Sequence, residues 1–306
     1  MSRPRSVKRD VHGILLFDKP VGMGSNESLQ AVKRLFRARK AGHTGSLDRL
    51  ASGLLPICFG EATKISGFLL RADKRYRAMF RLGQKTTTGD AEGQITARCP
   101  VPNFGEHELT SILQCFRGII EQVPPMHSAI KLGGQRLYKL AHQGLSVDRK
   151  PRTVIIHDLQ VLRREPERLE VEVHCSKGTY IRTLAEDIGE ALGCGAYVEG
   201  LRRIGSGPFD DNCLVTLPQL QTLAVKGVAA LDSLLRPMET ALSDWPDVNL
   251  PEEVAYYVRR GQAVLVPHAP TRGWVKIYGD RQSFLGLGEV LEDGRIAPRR
   301  LVNAAP

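Results

Sequence analysis

The chain has 306 residues, 42% hydrophobic and 25% charged, a composition typical of a soluble globular protein and a length that suggests two domains. Its 43 Lys and Arg against 33 Asp and Glu give a formal charge of +10, which favours anionic partners, nucleic acid before acidic membrane. No run approaches the roughly 18 uninterrupted apolar residues of a membrane span. The basic start "MSRPRSVKRDVHG" lacks the apolar stretch of a signal peptide and reads as a frayed terminus or a short arm for phosphates, and the scattered cysteines, read as reduced thiols, make a cytoplasmic protein the expectation.

In chain order, "VHGILLF" (11–17) reads as a buried strand ended by Asp18-Lys19-Pro20. Ser25 or Asn26 is then expected to cap a helix with Leu29, Val32 and Phe36 on one face. "AGHTGSLDRLASG" (41–53) follows, a loop that reads as flexible, with one acid, Asp48, among three glycines. "YRAMFRL" alternates strictly, placing Tyr76, Ala78, Phe80 and Leu82 on one face of a strand. Residues 124–152 begin and end near prolines and carry Lys131, Arg136, Lys139, Arg149, Lys150 and Arg152; they read as a basic excursion from the main sheet. "DLQVL" and "LEVEVHC" are two more strands. "SKGTY" leads into a helix with Ile181, Leu184, Ala185, Ile188 and Leu192 at helical spacing. Strands and helices mix without a regular βαβ repeat, so an α+β fold with a mixed sheet is expected. A Pro/Asp-rich linker near 237–251 divides the chain into domains at 1–245 and 246–306. The second holds the helix "PEEVAYYVRRGQ" and the strands "GWVKIYG" and "FLGLGEV", with a tail, "APRRLV", that either docks or ends in solvent.

The six cysteines are scattered, with no C-x-x-C and no nearby His pair, a spacing that argues against zinc and against a disulfide framework. "GMGSN" lacks the third glycine of a dinucleotide fingerprint, and no phosphate-binding P-loop, G-x-S-x-G or H-E-x-x-H motif is present. A Ser-His-Asp triad stays open, because its members need not be neighbours in sequence. Asp48 alone would ordinarily be a turn-former, and His43 a hydrogen-bonding loop histidine. Tyr76 is either a core tyrosine or a platform for a nucleobase. Arg182, at a helix start, is either a surface partner or the holder of an anion or carboxylate. Taken singly, none of these decides a function.

Taken together, "GILLFDKPVG", "AGHTGSLDRLASGLLPICFGEATK", "DKRYRAMFRLGQKTTTGDAEG", "PPMHSAIK", "HCSKGTYIRTLAEDIGEALGCGAYVEGLRR" and "GEVLEDGRIAPRRLV" resemble, in order, the TruB family of pseudouridine synthases. The resemblance covers nearly the whole chain. It implies a mixed-sheet catalytic domain with an RNA-clasping insertion at about 124–152 and a PUA-like, RNA-binding C-terminal domain. The implied reaction turns uridine into pseudouridine in the T-arm stem-loop of tRNA (position 55), with Asp48 as nucleophile. Tyr76 would stack on the flipped uracil and Arg182 would pair with Asp48. His43 would fill the space left by the extruded nucleotide, Tyr180 and Leu201 would line the pocket, and Asp90 and Lys19 would support it. A redox-neutral isomerisation implies no metal and no organic cofactor; a monomer without a protein partner is expected. Two positions depart from the family pattern: Arg49 stands where proline is usual after the aspartate, and Gly24 where Ser or Thr is usual.

Overall fold

The structure, a computed structural model, describes residues 7–128, 130–145 and 147–303. The arm at 1–6 lies outside the described residues, as do the side chains of Lys131, Arg136 and Lys139 in the basic excursion. Two main sheets carry the chain. The larger has ten strands, ordered Val215–Thr216, Gly13–Lys19, Ser52–Phe59, Ala196–Ser206, Lys74–Leu82, Arg168–Cys175, Arg152–Glu165 and Gly118–Gln122; Ala41–His43 and Phe209–Asp210 pair off this path. Most neighbours are antiparallel, but Ala196–Ser206 meets Ser52–Phe59 in parallel, so the sheet is mixed.

Burial explains the sequence patterns. Gly13–Lys19 is covered on both faces and therefore reads as a continuous apolar run rather than an alternation. Leu15 and Phe17 pack against Leu29, Val32 and Phe36, while Ile14 and Leu16 face Ile65, Leu69 and Phe209. Lys74–Leu82 has one buried face: Ala78, Phe80 and Leu82 meet Leu184, Ala185 and Ile188 of the helix Ile181–Ala191. Across the other face, Arg77 pairs with Glu172 and Arg81 with Glu167.

Several boundaries differ from the sequence reading. The first strand runs on through Lys19. The helix Ser25–Leu35 is capped not by Ser25 or Asn26 but by Gly24, whose backbone N–H donates to the Glu27 carboxylate at 3.3 Å. "DLQVL" is the middle of a 14-residue strand. The central strand Ala196–Ser206 went unrecognised because Gly200, Arg202 and Arg203 interrupt its apolar pattern and two bulges break its register.

The smaller sheet is ordered Asp247–Asn249, Gly273–Tyr278, Phe284–Val290, Ile296–Leu301, with the helix Glu252–Arg259 beside it. Its approach is not a free linker. Ala241 and Leu242 are buried, and Trp245 and Trp274 meet Phe68 edge-on at 4.8 and 5.2 Å. The tail docks as well. Lys64 Nζ donates to the Leu301 carbonyl at 2.9 Å, and the Asn303 N–H donates to Glu61 at 2.7 Å. All six cysteines are free thiols.

Candidate active site

Asp48 sits between the strands Ala41–His43 and Ser52–Phe59, and the loop that carries it is fastened along its length. Buried Ser25 turns away from its own helix. Its hydroxyl accepts from the Leu47 N–H at 2.7 Å and donates to the Leu47 carbonyl at 2.9 Å. The Arg49 carbonyl accepts from the Gly22 N–H at 2.8 Å, and the Arg49 guanidinium donates back to the Gly22 carbonyl at 2.8 Å. Lys19 is wholly buried; its ammonium donates to the carbonyls of Pro20 and Met23 at 2.8 and 2.6 Å and reaches that of Arg49 at 3.4 Å. Burial lowers its pKa to about 8, against the pull of Asp48. The expectation of a flexible loop is therefore corrected. Its last glycine also has a structural cause: Gly53 sits at φ 97°, and a Cβ there would lie 2.3 Å from the Arg203 carbonyl of the neighbouring strand.

The side chain of Asp48 faces the first turn of the helix Ile181–Ala191. Arg182, 5% exposed, directs Nε to the Asp48 carboxylate at 3.0 Å. Its other two nitrogens are also engaged, Nη1 with the Thr88 carbonyl at 3.1 Å and Nη2 with the His127 carbonyl at 2.8 Å. Nη1 lies 3.6 Å from Asp90, itself 3% exposed and holding the Glu92 N–H and the Thr88 hydroxyl. One guanidinium thus stands between two carboxylates. Desolvation pushes the Asp48 pKa up, Arg182 pulls it back, and Asp90 adds to the push. With 44% of the Asp48 side chain accessible, water screens part of that desolvation. The arrangement leaves one carboxylate edge held and the other open to solvent, as a nucleophile requires.

Around this pair stand further side chains singled out in the sequence. Burial raises the phenol pKa of both Tyr76 and Tyr180, and in both the Asp48 charge adds to the rise, so the two rings lie within its electrostatic reach. Tyr180 is the residue before the helix, with its backbone N–H donating to Gln122 at 3.0 Å. Burial, with Arg203 nearby, lowers the pKa of His43, and its Nδ1 is buried without a hydrogen-bond partner among the described residues. Leu201 stands somewhat apart. It lines a cleft of about 340 Å³ with Val21, Leu50, Ser52, Ala78 and Met79, and Asp48 is not among the residues that line it.

Residues 33–181 match the TruB family pseudouridylate synthase (N terminal domain), 182–243 the tRNA pseudouridylate synthase B C-terminal domain, and 246–302 the Pseudouridine synthase II TruB, C-terminal. A tRNA pseudouridine synthase B of Nitrosococcus oceani is 57% identical over 96% of each chain, and one of Coxiella burnetii is 52% identical over 98% of each. The chain belongs to the TruB family of pseudouridine synthases. Among solved structures, a chain of the Cbf5-Nop10-Gar1 complex is 27% identical, with a TM-score of 0.73 over 99% of this chain and 91% of that one. As a TruB-family enzyme the chain is an isomerase with a mixed-sheet catalytic domain, and its smaller sheet is the PUA-like C-terminal module.

Two residues of this TruB-family site escaped the sequence reading. Arg203 is 1% exposed; its Nε donates to the Leu54 carbonyl at 2.7 Å and Nη2 to the Gly45 carbonyl at 3.3 Å, beneath the Asp48 loop. Its charge adds to the lowering of the His43 pKa by burial and opposes the rise that burial gives Tyr76. The signal was an arginine at an inward-facing position of "YVEGLRRIG". Ser25 was read as a cap, and only the structure turns it toward Leu47.

Proposed function

We propose that the chain isomerises uridine to pseudouridine in the T-arm loop of tRNA (position 55), with Asp48 as nucleophile on a flipped-out uridine. The observation that carries this reading is the Asp48 carboxylate held on one side by buried Arg182 and open on the other. In the reaction the N1–C1′ bond breaks, the uracil turns, C5 bonds to C1′, the C5 proton leaves, and N1 is protonated. An anionic oxygen at Asp48 serves either at C1′ or at the base. Tyr76 supplies a face for the uracil, a contact worth about 1–3 kcal/mol per base. Tyr180 and Leu201 line the pocket, His43 fills the vacated space, and Lys19 and Asp90 hold the loop and the guanidinium.

The tRNA assignment is supported by the names of the relatives and by the +10 charge. The 124–152 excursion is read as an RNA clasp, residues 1–245 as the catalytic domain and 246–306 as a second RNA-binding domain. A built-in clasp favours a stand-alone monomer. Among the described residues no helix is long and apolar enough to cross a membrane, and we place the enzyme in the cytoplasm. The test is tritium release from C5-labelled uridine in a T-arm stem-loop, with chelator present. Wild type should be active and Asp48→Asn should lose several powers of ten at nearly unchanged RNA affinity. Substantial product from a verified Asp48→Asn preparation would overturn the mechanism.

A further inference from the structure

Three side chains distant in sequence converge on the sheet face opposite that of Tyr76. His174 lies on Arg168–Cys175, where Val173 and Cys175 point into the core and His174 therefore points out. His157 lies on the neighbouring strand at a break in register: Ile156 pairs with Cys175 and Asp158 with His174, leaving His157 as the extra residue. Such a bulge re-aims a side chain. Asp73 comes from the segment just before Lys74–Leu82, its carbonyl tied to the Gly207 N–H at 3.0 Å.

His157 Nε2 is 3.0 Å from the Asp73 carboxylate, the two imidazole rings are 4.8 Å apart, and one donor atom from each residue lies within 4.8 Å of the other two. We propose that Asp73, His157 and His174 bind a divalent transition-metal ion of the zinc, nickel or copper class. Two imidazoles and a carboxylate suit those ions, with the remaining positions left to water. At metal–ligand distances of about 2.0–2.2 Å, tetrahedral ligand atoms are roughly 3.4 Å apart. His157 and Asp73 already have nearly that span, so a side-chain adjustment at His174 completes the set. Arg75 stands opposite His174 in register, but its side chain lies across Gly205, with Nε 3.0 Å from the Cβ position of that glycine, on the strand at the other side. A positions-only search for ligand spacing misses this set, because its members are 73, 157 and 174 in the chain. The ion would clamp two strands to the start of a third and take no part in the isomerisation.

The test uses the full chain, stripped with chelator and titrated with zinc or nickel chloride by calorimetry, with thermal melting alongside. One ion per chain at micromolar affinity and a raised Tm are expected. His157→Asn and His174→Asn, singly and together, should abolish both, and Asp73→Asn should weaken them. These histidines face outward, and a folding check by circular dichroism decides which variant is read; the single His157→Asn suffices. Pseudouridine formation by His157→Asn should match wild type. Absence of one-to-one binding in the wild type would overturn the site. So would binding that persists in the double variant, which would point instead to the exposed thiols of Cys99, Cys115 and Cys213.

Discussion

Replacing Arg182 with Met keeps the unbranched stem of the side chain and removes its guanidinium and charge, which exposes two roles of that group. The stability role concerns Asp90. This carboxylate is 3% exposed and would lose the one cation paired with it among the described residues, 3.6 Å away. Removing one partner of a buried pair costs about 3–5 kcal/mol. Asp90 keeps its bonds from the Thr88 hydroxyl and the Glu92 N–H, so the lower end, about 3 kcal/mol, is expected. The Asp48 half adds little to stability, because 44% of that side chain is in contact with water.

The catalytic role concerns Asp48. Desolvation and Asp90 both push its pKa up, and Arg182 is the main opposing influence. Without Arg182 the Asp48 pKa rises further, a smaller fraction is anionic at a given pH, and the acid limb of kcat/KM moves to higher pH. Activity lost at neutral pH should then recover in part as pH rises. Tritium release measured across pH, beside a urea melt, reads both roles; Arg182→Lys should restore part of the limb but not the three-way bonding. If Arg182→Met lowers activity while its acid limb coincides with that of wild type, Arg182 does not act through the charge on Asp48, and the reasoning fails.

Three further outcomes follow from the loop. Ser25→Ala leaves both polar backbone groups of Leu47 without their partner and should cost about 1–3 kcal/mol, lowering kcat more than it raises KM; unaltered kcat would show that the Leu47 contact does not position Asp48. Arg49→Pro keeps the Gly22 and Lys19 contacts to the residue 49 carbonyl and gives up only an exposed guanidinium contact, so it should fold and raise kcat; a fall at unchanged tRNA affinity would show that the arginine itself positions the loop. Lys19 has a folded pKa lowered to about 8 from 10.5, so between those values the folded state sheds its proton first and stability attributable to this group rises with pH, by at most about 3 kcal/mol. Urea melts of wild type and Lys19→Met across that window should diverge with rising pH, and parallel curves would remove the assignment.

Much of the fold was legible where one physical cause dominates. The strict alternation of "YRAMFRL" marked a strand buried on one face, and the 3.6-residue spacing of Ile181 to Leu192 marked the helix behind it. Ala196–Ser206 was hidden because it serves two masters: bulges shift its register, and Arg203 stands where the pattern asks for an apolar residue. The site was legible as residue types in familiar motifs, but not as a mechanism for holding them. Nothing local in "GSNES" says that Ser25 leaves its helix for Leu47, since a serine there is chemically an equally good cap. Nor could spacing reveal Asp73, His157 and His174, which meet only through strand pairing and one bulge.

The fastening of the loop bears on how substrate must reach it. Asp48 is bracketed by contacts at Gly45, Leu47 and Arg49, which come from Arg203, Ser25, Gly22 and Lys19, and its carboxylate is held by Arg182. A carboxylate so anchored does not reach into a stacked RNA loop. In the proposed reaction the nucleotide therefore travels to the acid, at a cost of a few kcal/mol for unstacking. Stacking on Tyr76 can return about 1–3 kcal/mol of that, and phosphate contacts from a chain of charge +10 can offset the remainder. In that proposed reaction the one-sided grip of Arg182 fits the same rigidity: the guanidinium holds one oxygen of Asp48 in place and leaves the rest of the carboxylate to the nucleotide that arrives.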